Sequence, residues 1–301
     1  MKTILRYRSI LIIITTVLVL MDFLYVTFLP FQPEKPTINS TLTIARNLAR
    51  SIYYSYVYRY PLSAQDKINP HDKLPLIEIP EGSFLMGSSK DPHSANYPEH
   101  LIKLSNFYID KFEVTNRAYR ICVFHDGCEL PVKGNPFYNN PLFLDYPVVY
   151  IDWGQAKAYC KWSGGSLPSE AEWEKAARGE RGNLWPWGKE APSQERANFG
   201  DMIGTLVSAY TYPDGESQYG VVNMAGNVRE WVADMFNPTY YKRSPSKNPT
   251  GPNNGDNRSL RGGSFLDDAN QISSYNRFQH EPGSAGINRG FRCVYRTIPS
   301  P

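Results

Sequence analysis

From Ser9 to Leu29 the chain carries 21 residues that are almost wholly apolar, among them Ile10, Leu11, Ile12, Ile13, Ile14, Val17, Leu18, Val19 and Leu20, and the run closes at Pro30. A run of that length crosses the hydrocarbon core of a bilayer as one helix. Lys2, Arg6 and Arg8 precede it, and no basic residue follows until Lys35. This charge bias places residues 1–8 in the cytoplasm and everything after residue 30 on the far side, periplasmic or extracellular. A cleaved signal peptide is the competing reading. Bulky Tyr25, Phe28 and Leu29 stand where a signal peptidase needs small side chains, which favours a retained single-pass anchor over 9–29. Asp22 interrupts the run, and a carboxylate in a membrane segment is costly unless protonated, paired or close to the interface. It either meets a polar group on another membrane subunit or lies among the outer headgroups beside Tyr25 and Phe28.

Residues 30–74 read as a linker, with Pro33, Pro36, Pro61 and Pro70. Inside it Ile44, Leu48 and Ile52 recur at i, i+4 and i+8, Arg46 and Arg50 fall off that face, and Tyr53, Tyr54, Tyr56, Tyr58 and Tyr60 follow. The spacing predicts an amphipathic helix that either lies along the membrane or docks on the domain beyond it. That domain occupies 75–298. The 41% hydrophobic fraction of the chain is enough for a real core, and 32 Lys+Arg against 29 Asp+Glu leaves only +3, too balanced for binding that rests on neutralising nucleic-acid phosphates. With 22 Gly, 24 Pro and 21 Tyr, long ordered loops pinned by rings are expected.

The four cysteines, 122, 128, 160 and 293, show no C-x-x-C spacing and no histidine at zinc-ligand distance, which argues against structural zinc. On the exported side an even count points to two disulfides. Spacing alone allows three pairings. Cys122 and Cys128 close a short loop containing Gly127, which leaves Cys160 with Cys293.

Asp152 with Gln155, and Ser169 with Glu172, are capping boxes. The first opens a helix with Ala156, Tyr159 and Cys160 on its face, ended by Gly164-Gly165; the second opens Glu170 to Arg178, stopped by Gly179. A further helix starts at Thr115 and carries Ala118, Ile121 and Cys122. Leu101 to Leu104, Phe107 to Ile109 and Phe291 to Tyr295 read as short strands, and Gly179 to Leu260 as mostly turns. The fold class is α+β with little regular structure.

Among motifs of chemistry there is no G-x-S-x-G elbow and no G-x-G-x-x-G. The histidines, 71, 93, 100, 125 and 280, are scattered without an i, i+4 pair. In Asn223 to Trp231 a side-chain amide, turn carbonyls and the Glu230 carboxylate fall close together around Gly226. Hard oxygens of mixed type suit Ca²⁺, although an Asn/Gly turn into another element explains the same pattern.

Taken in order, a set of blocks resembles the formylglycine-generating enzyme, or sulfatase-modifying factor, family. They are Glu78-x-Pro80, Gly82-Ser83-Phe84-x-Met86-Gly87, Asp110 to Asn116, Pro147-Val148 with Ile151-Asp152-Trp153, Ala158-Tyr159-Cys160-x-Trp162, Leu167 to Glu174, Pro186-Trp187-Gly188, Asn223 to Trp231, Arg261-Gly262-Gly263-Ser264 and Gly290-Phe291-Arg292-Cys293. The resemblance runs from about Leu76 to Tyr295. It implies a loop-rich variant of the C-type-lectin-like fold and supports the Cys160 to Cys293 disulfide. It also implies structural calcium at Asn223, Gly226, Val228 and Glu230. Asn198 and Phe199 match the start of a second calcium site, whose acidic loop is here shortened to about Gly200 to Thr205.

One departure bears on chemistry. The family's oxidases bind copper(I) through two cysteines shortly after the Arg-Gly-Gly-Ser block, as soft copper requires. Here Asp267 stands where the first should be, and no cysteine occurs between 160 and 293. A carboxylate replaces neither the thiolate ligand nor the sulfur partner of a substrate thiol, so no copper and no formylglycine chemistry are expected. The histidine-ligated iron motif of other members is also absent. The leading expectation is a non-catalytic, membrane-anchored binding module or accessory subunit of a membrane or envelope protein complex. The alternatives are an oxidoreductase on another substrate, with Ser264, Asp267 and Arg277 lining the pocket, and a ligand- or carbohydrate-binding module. A filled pocket favours the non-catalytic reading and a deep cleft the oxidoreductase.

Overall fold

The computed structural model describes residues 38–57, 66–132 and 135–300. The 9–29 anchor with Asp22, Tyr58 and Tyr60 lie outside the described residues. Among the described residues no helix is long and apolar enough to cross a membrane.

Helix α1 (Ile38–Val57) opens the described part. After it come β1 (Lys67–Ile68), β2 (Pro75–Ile79), β3 (Gly82–Met86), β4 (His100–Leu104) and β5 (Phe107–Asp110), then helices α2 (Asn116–Phe124), α3 (Trp153–Trp162) and α4 (Glu170–Arg178). Strands β6 (Arg229–Met235), β7 (Arg258–Arg261), β8 (Phe278–His280), β9 (Arg289–Phe291) and β10 (Val294–Tyr295) complete it. Three sheets result, ordered β1-β2-β5-β10, β3-β4 and β8-β7-β6-β9. This is the expected α+β class with short elements.

The helix boundaries follow from their caps. Thr115 accepts from the Ala118 amide, and both Asp152/Gln155 and Ser169/Glu172 form complete capping boxes. Helix α4 ends at Gly179, whose φ of +67° is open to glycine. Every residue of α4 is buried, because it lies between the β3-β4 hairpin and β6-β7. One core packs α2 and α3 against Leu76, Trp231, Leu260 and Phe291; a second packs Trp173 of α4 against Phe84, Ile102 and Val232. Truncating either buried Trp would cost about 3–5 kcal/mol.

Three expectations are corrected. The 179–260 stretch contains β6, the longest strand; its Arg229, Glu230 and Asp234 mask the apolar alternation, and they are tolerated because each has an ion-pair or hydrogen-bond partner. The strand expected over 291–295 is two strands broken at Arg292-Cys293, where Asp110 accepts from the Cys293 amide at 2.8 Å. The helix expected within 30–74 is α1, followed by β1, and α1 packs on the domain. Ser51, fully buried, meets Tyr146 Oη at 2.8 Å and donates to the Leu206 carbonyl; Ser55 accepts from the Ser208 amide at 2.8 Å. Leu48 packs beside Phe143 and Tyr146, while Ile44 is 56% exposed. The docking face is therefore turned from the Ile44–Leu48–Ile52 stripe toward its small hydroxyls.

Both disulfides form as expected, Cys122–Cys128 and Cys160–Cys293. The second ties α3 to the β9-β10 junction, and no cysteine of the chain is left as a free thiol.

Candidate functional site

The Arg-Gly-Gly-Ser block leaves β7 through two consecutive left-handed glycines, Gly262 (φ +87°) and Gly263 (φ +72°). A Cβ on Gly263 would lie 2.8 Å from Ile272 Cγ2, so this turn requires glycine. It brings Ser264 over Asp267, whose Oδ2 accepts from the Ser264 amide at 2.7 Å and hydroxyl at 2.8 Å. From β6, Arg229 adds Nε to the same oxygen at 2.9 Å and Nη2 to Oδ1. Four donors thus hold a carboxylate that is only 4% exposed. Behind it Ile272 is fully buried in a cluster with Trp185, Ala197 and Ala225.

Arg277, expected beside Asp267, is elsewhere. Its guanidinium clamps Glu170 with Nε–Oε1 at 2.9 Å and Nη2–Oε2 at 2.6 Å, and lies 4.2 Å from the Tyr241 ring centroid. Arg261 joins the same buried network through Glu170 and Glu174. Burial pushes the Glu170 carboxyl up, but Arg277 and Arg261 outweigh it and hold it below its ordinary value. The arginine that does serve Asp267 is Arg229, which sequence reasoning passed over because only the parallel fold of β6 onto β9 shows where it points. A surface groove of about 550 Å³ is lined by Tyr240, Arg243 and the Asn248–Asn254 loop, and by none of Ser264, Asp267 or Arg277.

The Asn223–Trp231 segment is a second buried polar cluster. Asn223 and Asn227 (both φ +57°) and Gly226 (φ +78°) coil the chain, and a Cβ on Gly226 would sit 2.2 Å from the Asn198 carbonyl oxygen. Asn223 and Asn227 donate from Nδ2 to the two oxygens of Glu113, at 2.8 and 2.9 Å. Glu230 takes Arg292 Nη2 and Nε, each at 2.7 Å, and Trp173 Nε1 at 2.8 Å. Burial, and then the charge of Glu230, pushes the Glu113 carboxyl up to about 8. Two carboxyl groups thus share one guanidinium, and Glu230 holds the charge that pairs with it. Asn198 Oδ1 nearby is buried with no donor, while its Nδ2 reaches the Thr205 carbonyl at 2.9 Å. Among the described residues no group of three His, Cys, Asp or Glu side chains converges as a metal site. Glu113 and Arg292 were visible only as members of sequence blocks; their meeting with Glu230 spans contacts no local pattern encodes.

Comparison with known proteins agrees with this architecture. The model of the sulfatase-modifying factor enzyme 1-like domain matches residues 63–297. The chain is 32% identical to the formylglycine-generating enzyme of Streptomyces coelicolor over 276 aligned residues, covering 72% of this chain and 88% of that protein. It is 28% identical to the inactive C-alpha-formylglycine-generating enzyme 2 of Bos taurus, covering 73% of this chain and 87% of that one. The solved structure of PvdO from Pseudomonas aeruginosa shares the fold, with a TM-score of 0.66 and 24% identity over 79% of this chain and all of that chain.

Proposed function

This chain belongs to the sulfatase-modifying factor enzyme 1-like family, and from that membership we propose that it is a non-catalytic member: an exported domain, anchored by residues 9–29, that serves as a binding module or accessory subunit of a membrane protein complex. The observation that carries the proposal is the Asp267 site. Where the family's oxidases place a copper-binding cysteine, a buried carboxylate is saturated by Ser264 and Arg229. All four cysteines are spent in disulfides, so no thiolate remains for copper or for a substrate thiol. A fold that keeps its packing and loses its reactive groups suits binding.

The apolar run with Asp22 supports anchoring and a membrane partner. Two measurements test the reading together. Mild-detergent extraction of the full chain should carry stoichiometric membrane subunits, and Asp22→Leu should shed them. The purified protein should leave a cysteine-containing sulfatase peptide unmodified with copper and oxygen supplied. Formylglycine formation, or a chain that runs alone in both forms, would overturn it.

We also infer structural calcium. The Asn223 side chain, the Gly226 and Val228 carbonyls and Glu230 supply oxygens of the hard, mixed type Ca²⁺ takes. Asn198 Oδ1, an acceptor without a donor, favours a cation at Asn198 and Phe199 too. When bound, calcium would fix loops rather than react. Chelation with EGTA should lower the thermal midpoint and calcium should restore it; an unchanged midpoint with no calcium in the purified protein counts against both sites.

A further inference from the structure

Strands β6 and β9 run parallel with Arg229 directly opposite Arg289, at the edge of the β8-β7-β6-β9 sheet. Two like charges side by side repel unless each is compensated. Arg229 is compensated, by Asp267 and by the Phe278 ring 4.1 Å below its guanidinium. Arg289 is not. Among the described residues no carboxylate lies within ion-pair distance of it; its Nη1 donates to Ser284 Oγ at 3.1 Å, and its Nε is buried with no acceptor.

The half-buried side chain is nevertheless held in place. The 281–288 loop folds round it, so closely that a Cβ on Gly286 would lie 2.9 Å from Nη1. The neighbouring His280, neutral or cationic, cannot balance that charge; burial and the two arginines lower its affinity for a proton, with Glu281 opposing them. A partly desolvated guanidinium fixed by a hydroxyl and a backbone, with its charge unmatched, is poised for an anion. Guanidinium is the group that grips carboxylate or phosphate through a planar fork.

We propose that Arg289, flanked by Arg229, binds a single compact oxyanion, the carboxylate or phosphate-type group of a ligand, at this sheet edge beside the Asp267 turn. The inference deepens the binding-module reading and rests on it, naming the chemistry of what the module would hold. Ser284 is a positioning residue, orienting Nη1 through one hydrogen bond.

The test titrates the full chain, in non-ionic detergent at constant ionic strength set with chloride, with inorganic phosphate and separately with acetate, following thermal unfolding. The wild type should show a saturable rise in midpoint with at least one anion. A response to phosphate alone identifies a phosphoryl-type ligand, and a response to acetate alone a carboxylate. Arg289→Gln should weaken the apparent affinity about tenfold or more, as expected for losing a charge-assisted hydrogen-bond pair. Arg289→Lys, which keeps the charge without the fork, should fall between. Ser284→Ala leaves the guanidinium present and should weaken binding a few-fold, which keeps the test decisive if Arg289→Gln does not fold. No response beyond chloride, or the same response in Arg289→Gln as in wild type, overturns the site. Either result leaves the non-catalytic reading to be decided by the peptide assay and co-purification.

Discussion

Arg292 and Glu230 stand 62 residues apart in sequence and meet as a fully buried, two-pronged ion pair, each nitrogen–oxygen distance 2.7 Å. Arg292 also donates to the Asp110, Lys111 and Val222 carbonyls, so one guanidinium joins β5, β6 and the β9-β10 break. The Glu230 carboxylate offsets the cost of burying it and holds it charged.

Breaking that pair strands a charge in the core. Arg292→Met should lower stability by about 3–5 kcal/mol in urea or guanidinium unfolding. Arg292→Met combined with Glu230→Gln should recover part of the loss, because the Glu230 charge is no longer stranded in the core. A single substitution that costs less than 1 kcal/mol would show the pair to be weak.

The two disulfides should differ in worth. Cys160–Cys293 closes a separation of 133 residues and Cys122–Cys128 one of 6. Chain-entropy reasoning gives about 5 kcal/mol for the long loop and about 2 kcal/mol for the short. Paired Cys→Ser variants measured by denaturant unfolding should keep that order, and equal losses would mean the loop-entropy account does not govern here.

Docking of α1 should depend on Ser51. Ser51→Ala removes the donor to Leu206 and the contact with Tyr146. It should cost about 1–2 kcal/mol locally, seen as faster amide exchange confined to 38–57. Unchanged protection there would mean that Leu48 and the remaining contacts suffice.

Asp72 predicts a pH dependence of defined sign. Burial pushes its carboxyl up to about 6, although the Leu74 amide and Tyr159 hydroxyl oppose the shift. Neighbouring Asp110 is also raised, by burial and then by Asp72, and His71 pulls Asp72 the other way. A native pKa above the unfolded value of about 3.9 means that the native state binds the extra proton. The stability this group contributes is therefore complete below about pH 4 and is lost as pH rises through about 6. Asp72→Asn should flatten the stability profile across that interval by about 2–3 kcal/mol. An unaltered profile would place the native pKa near its ordinary value.

What the sequence made legible is what is encoded locally. The Asp152 and Ser169 caps, the Gly179 stop and the short Cys122–Cys128 loop each lie within a few residues of their partners, so their physics is complete in a short window. Asp267 stands out in the sequence as the telling substitution, but the arginine that holds it is Arg229, 38 residues away, rather than Arg277 close by. Strand β6 hid for the same reason, since its charged residues become tolerable only once Asp267 and Arg292 arrive from elsewhere. In α1 the apolar stripe pointed to one face, yet the contact is made by small hydroxyls that hydropathy does not weigh.

The stitching of α1 to the body has a mechanical corollary. Ser51 and Ser55 pin the helix at successive turns, and Asn47 contacts the Gly204 loop one turn earlier. A helix fastened along its length transmits torque. Rotation or tilt imposed on α1 would therefore turn the whole body with it, fixing which flank of the molecule is presented to a neighbour.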